Sequence, residues 1–211
     1  PTLVPAGGHV LDPFCGSGTV LLEAGIAGHL ADGADANPLA RLIAATKLTL
    51  IEVTNLYAAL DVILTRIDEP SEAPDVVNIA HWYDAGVIDR LASLSTAIAD
   101  IGDPDIRHFF ELCLSACARK VSLADPRLSV PVKLNRDRVA LYGAKGAEVV
   151  KRLDQLTADK VGPTFEGIAQ QNIERMAALA QTAPGIAPPV LFEDARLLGE
   201  GDARYDLIIT S

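Results

Sequence analysis

The chain is short of aromatic residues and of sulfur. Only 5% of its 211 residues are aromatic, with one Trp, four Tyr and five Phe, and it carries three Cys and one Met. Three cysteines cannot all pair. Cys113 and Cys117 stand four apart on an expected helix and read as core, and Cys15 reads as a small buried residue inside a turn. No Cys or His pair has zinc spacing, so no metal site is expected. No apolar run approaches the ~20 residues of a membrane span, and no signal-peptide pattern is visible. With 49% hydrophobic and 22% charged residues, the composition is that of a folded, cytoplasmic globular chain. Cations are scarce too. Eighteen Lys and Arg against 28 Asp and Glu leave a net charge of −10, an awkward balance for contact with nucleic-acid phosphates.

Two further absences define the most informative stretch, residues 10–24. It reads as a buried strand, an acidic glycine turn and the first turns of a helix: Asp12-Pro13-Phe14-Cys15-Gly16-Ser17-Gly18-Thr19. Gly16 and Gly18 permit positive φ and a close ligand, and the following helix aims free N–H groups above the strand end. A dinucleotide fingerprint needs a third glycine three places after the second, where Leu21 stands. A phosphate-binding P-loop needs Gly-Lys-Ser/Thr, and no lysine precedes Lys47. Asp12 at the strand tip would repel a pyrophosphate and suits a ligand carrying positive charge, such as the amino group and sulfonium of S-adenosylmethionine. A second acidic turn, Gly33-Ala34-Asp35-Ala36-Asn37-Pro38, places Asp35 seventeen positions after Gly18. That is close to the ~20 at which an acid reaches ribose hydroxyls.

These residues resemble the amino-group DNA methyltransferases, which methylate N6 of adenine or N4 of cytosine. The first turn is similar to their motif I, and Asp35, Ala36 and Asn37 to the motif whose acid binds the cofactor ribose. Phe192-Glu193-Asp194-Ala195 is similar to the motif whose carboxylate holds the cofactor adenine amino group. Tyr205-Asp206-Leu207-Ile208-Ile209-Thr210-Ser211 is similar to the strand that runs into Ser-Pro-Pro-Tyr or Asp-Pro-Pro-Tyr. The resemblance implies S-adenosylmethionine as cofactor, held by residues 12–19, Asp35, Ala36, Asn37, Asp194 and Ala195. It implies Ser211 as the catalytic residue that accepts a hydrogen bond from the target amine. It also implies a fragment, inactive alone, because the tetrapeptide stops at its first residue. Serine there leans slightly toward N4-cytosine. A restriction partner and the oligomeric state stay open.

The expected fold is α/β: a Rossmann-like, class I methyltransferase parallel sheet, first four strands only, interrupted by a mostly helical insertion. Strand, helix, strand, helix are expected at 9–12, 19–27, 31–35 and 39–50. Helices follow at 53–66, 84–101 and 104–121, then an extended or looped stretch at 122–138, and helices again at 146–157 and 164–182. Strands return at 190–192 and 206–210. Residues 1–52 and 189–211 are thus expected to form the cofactor-binding sheet, and 53–188 the insertion. Trp82, Phe109 and Phe110 read as core. Between 119 and 138 there are six cations (Arg119, Lys120, Arg127, Lys133, Arg136, Arg138) and two acids, the best candidate for contact with DNA phosphates. Two other functions share parts of the pattern: an RNA guanine-N2 methyltransferase, and a non-catalytic cofactor-fold module that binds a partner.

Overall fold

The computed structural model describes residues 3–198 and 204–210; Ser211, the expected catalytic residue, lies outside them. The chain divides into two compact units, Pro1–Val53 with Ile173–Ser211, and Thr54–Asn172.

The first unit carries the sheet. Strand β1 (His9–Asp12) leads through a turn into helix α1 (Thr19–Ile26), and β2 (Leu30–Ala34) leads into α2 (Pro38–Leu48). Strands β3 (Val190–Phe192) and β4 (Leu207–Ile208) complete an all-parallel sheet in the order β3-β2-β1-β4. The register pairs Leu11 with both Asp32 and Ile208, and Gly33 with Leu191. Alternation along the strands then sets Val10, Ala31, Leu191 and Leu207 on one face. There they pack with Leu21, Ala44 and Leu48 of α1 and α2 and with Ala183 and Ile186. Because Leu179, Ala183 and Ile186 join this core, the chain rejoins the sheet unit at Ile173, earlier than the prolines at 184–189 suggest. Strand β4 is shorter than the expected 206–210. Its ladder is nevertheless continued by Asp206 N–H to His9 O and Ile209 N–H to Leu11 O, both 2.9 Å.

Capping chemistry explains the element boundaries. Asn37 accepts the Leu39 N–H at 3.0 Å, with Pro38 at the first helical position of α2. Asp103 does the same for Asp105 and Ile106 at the start of the helix Pro104–Val121.

The second unit is helical: α3 (Val53–Thr65), the short α4 (Ile79–Trp82), α5 (Ala85–Ala99), α6 (Pro104–Val121), α7 (Gly146–Asp154) and most of α8 (Ala158–Thr182). Phe109, Phe110, Cys113 and Cys117 of α6 are buried, and the Phe110 and Phe165 rings lie 6.2 Å apart. Trp82 is only half-buried. Helix α8 begins at Ala158 and carries Pro163 inside it, where the sequence suggests a start at 164. Proline removes one backbone bond there, and the complete burial of Val161 and Phe165 on either side outweighs that loss. The stretch 122–138, expected to be extended or looped, holds both conformations. It forms a hairpin closed by an Ala124–Lys133 bridge and then enters a 3₁₀ segment, Arg136–Lys145, capped by Asn135. Among the described residues, no helix is long and apolar enough to cross a membrane.

Candidate cofactor site at the carboxyl edge of the sheet

Parallel strands end on one side, so Asp12, Asp35 and the residues after β3 and β4 converge on a single edge. The glycine turn is built there by backbone. Gly16 has φ 50° and Gly18 has φ 74°, both in the left-handed region that favours glycine. A Cβ on Gly18 would also stand 2.7 Å from the Ala44 Cβ, so the turn can close on α2 only with glycine. The Cys15 N–H donates to Ala34 O at 2.8 Å and the Gly18 N–H to Cys15 O at 2.8 Å. The first N–H groups of α1 receive no side-chain cap and remain available at this edge.

Asp35 joins the two motifs. Its Oδ2 accepts the Gly16 N–H at 2.9 Å and its Oδ1 the Asn37 N–H at 2.8 Å. Asp12, 1% exposed, accepts the Phe14 N–H at 3.0 Å. Burial raises the Asp12 carboxyl above the usual carboxylate range, the Phe14 hydrogen bond opposes this, and nearby Asp35 adds to it. A cationic ligand group beside Asp12 would reverse that cost. Burial also pushes the Cys15 thiol up to about 11, with Asp12 and Asp35 contributing, so Cys15 is a packing residue and not a nucleophile at neutral pH. Phe14, by contrast, is 65% exposed beside the turn.

Asp194 follows β3 at the same edge, but Arg196 engages both of its carboxylate oxygens and its backbone N–H donates to Oδ1 at 2.9 Å. This pairing lowers the Asp194 carboxyl to about 2. Ala195 begins a short 3₁₀ turn capped by Asp194.

Two cations of α2 belong to this edge and have no counterpart in the sequence reading. Arg41 donates to the Asp35 carbonyl and pairs with Glu193 at 3.1 Å, and Lys47 donates to the Ser17 carbonyl at 2.8 Å. A cation near the start of a helix opposes the helix dipole, and that misfit is the signal by which Arg41 could be found. A third residue, Asp32 on the opposite face of β2 from the helix-packed core, is 3% exposed. It accepts from Tyr205 Oη at 3.0 Å, Arg204 at 3.1 Å and the Val190 N–H at 3.2 Å, with His9 Nε2 3.1 Å away. It ties the approach to β4 to the middle of the sheet. Of the expected DNA contacts, Arg136 is paired with Asp154, while Arg119, Lys120, Lys133 and Arg138 form no ion pair among the described residues.

Residues 3–59 match the family model of the RMKL-like methyltransferase domain, UPF0020. The chain is also 32% identical to the Type II methyltransferase M.MvaI of Kocuria varians over 122 residues, which cover 53% of this chain and 27% of that relative. The chain thus spans about a quarter of the relative's length. No solved structure matches it. The family match falls on the segment that builds the glycine turn and Asp35; over that segment the chain is similar to methyltransferase domains, and its parallel sheet is Rossmann-like.

Proposed function

We propose that the chain provides the cofactor-binding part of an enzyme that methylates an exocyclic amine of a DNA base. The observation that carries this reading is the Asp35–Gly16 hydrogen bond, which joins the strand-end acid of β2 to the glycine turn of β1. S-adenosylmethionine supplies an activated methyl group when bound. The residues suited to hold it are Asp12, the turn residues Pro13, Phe14, Cys15, Gly16, Ser17, Gly18 and Thr19, then Asp35, Ala36 and Asn37, with Asp194 and Ala195 toward the adenine. The donor set fits at the charged end and the ribose, with free N–H groups and the buried Asp12 carboxylate for the first and Asp35 for the hydroxyls, while Asp194 is assigned to the amino group after release from Arg196.

The acceptor is read from the other end of the chain. The amine of cytosine or adenine is a poor nucleophile, because its lone pair is delocalised into the ring. Ser211, following β4, is assigned to accept a hydrogen bond from that amine and so favour a more tetrahedral nitrogen. The relative's name, a Type II methyltransferase, supports DNA as the substrate. The cations Arg119, Lys120, Lys133 and Arg138, with Arg136 after release from Asp154, are assigned to phosphates.

Calorimetry with S-adenosylmethionine, followed by mass spectrometry of nucleosides from DNA incubated with the protein, tests the reading. Micromolar cofactor binding and N4-methylcytosine are expected; N6-methyladenine would keep the class and change the base. Methylated guanosine from an RNA substrate, with unmodified DNA, would establish the alternative.

A further inference from the structure

Residues 123–134 double back as a two-stranded ribbon whose base is built into the helical unit. The Leu123 N–H donates to Trp82 O at 2.8 Å, the Leu134 N–H to Leu123 O at 2.7 Å, and the Asp125 N–H to Val132 O at 2.8 Å. Leu123, Leu134 and Ser122 at the base are buried. Asp125, 6% exposed, accepts from both the backbone N–H and the guanidinium of Arg127, which fixes the entry to the tip. Beyond it, Leu128, Val130 and Val132 are 47%, 69% and 46% exposed. All three are open to water on an anchored support. The anchoring removes most of the entropy that ordering such a tip on binding would cost.

The charge around these residues selects their partner. Residues 119–138 hold six cations and two acids in a chain of net charge −10, so the exposed apolar residues sit in a positive stretch of a negative protein. Lys133 is on the ribbon itself, Arg138 lies just past it, and neither forms an ion pair among the described residues. Pro126 and Pro131 lack N–H donors, so the ribbon is poorly suited to pair edge-on with another strand. Apolar side chains flanked by free cations fit a duplex, where they press between base steps while the cations neutralise phosphates. Resting on the DNA reading above, we propose that the 123–134 hairpin is an apolar wedge, with Leu128 and Val130 at its tip, that enters duplex DNA.

Fluorescence anisotropy with a labelled duplex over a salt series tests this, with cofactor affinity and circular dichroism as controls for folding. The double variant Leu128→Ser/Val130→Ser is expected to lose about tenfold or more in duplex affinity with an unchanged salt slope, since apolar contacts release no counterions. Lys133→Gln/Arg138→Gln is expected to reduce that slope by about 2, near one per phosphate contact. Wild-type affinity in the Leu128/Val130 variant overturns the wedge. So does loss of a dimer in that variant by light scattering, which would make the tip a contact between copies. A wild-type protein that binds cofactor but no duplex overturns the substrate reading beneath it.

Discussion

Asp35 Oδ2 accepts the Gly16 N–H at 2.9 Å, although the two residues belong to different strand–turn units. The acid suited to ribose hydroxyls therefore also shapes the turn that faces the rest of the ligand. Asp35→Ala is expected to weaken S-adenosylmethionine binding at least tenfold, and to lower unfolding stability by about 1–2 kcal/mol through two lost backbone hydrogen bonds. Calorimetry and urea denaturation measure the two effects. Wild-type affinity in this variant would remove Asp35 from the site.

Asp32 gathers Tyr205, Arg204 and His9 on one nearly buried carboxylate. Asp32→Ala leaves Tyr205, Arg204 and the Val190 N–H without their acceptor and is expected to lower unfolding stability by about 2–3 kcal/mol, with Tyr205→Phe costing about 1. Equal denaturation midpoints for wild type and Asp32→Ala would show that the cluster does not hold β4.

Arg196 closes the Asp194 carboxylate that the adenine reading needs open. In Arg196→Ala, the Asp194 carboxyl should rise from about 2 toward its ordinary value, visible in an NMR titration. Cofactor affinity should hold or improve, whereas Asp194→Ala should reduce it. Weaker binding in Arg196→Ala would instead make the arginine part of the adenine pocket.

All three thiols are raised by burial, Cys15 and Cys113 to about 11 and Cys117 to about 12. Folding favours the neutral thiol, so this contribution is fully present below the ordinary thiol value near 9. It is lost as pH rises through 9 toward 11–12, the window in which stability should fall. At neutral pH the native protein should resist iodoacetamide, with three alkylations appearing by mass spectrometry only in urea. Rapid native labelling of Cys15 would mean that the turn opens.

A Cβ on Gly33 would lie 2.9 Å from both Cys15 Sγ and Leu21 Cδ1. Gly33→Ala must push the turn away from β2, at about 1–3 kcal/mol. The same variant should weaken cofactor binding, and an unshifted melting temperature would contradict the packing described.

Much of this was legible locally. Strand, glycine turn and helix at 9–26, the Asn37-Pro38 and Asp103-Pro104 helix starts, and the buried Phe109-Phe110 pair all follow from φ preferences, capping and apolar period. Those effects act within a few residues, so composition and order determine them. The hairpin at 123–134 was not legible, because its prolines and polar residues read equally as loop, and its backbone partners, the Trp82, Leu123 and Val132 carbonyls, are set by the fold.

The sequence by itself determined which residues stand at the strand ends: Asp12, the turn at Gly16 and Gly18, Asp35 and Asp194. Only the tertiary structure decided what those acids hold. Asp35 bonds a glycine nineteen positions away, Asp32 a tyrosine 173 positions away, and Lys47 the carbonyl of Ser17, thirty positions back. Such contacts exist because a parallel sheet brings distant strand ends to one edge, and that register has no trace in local propensity.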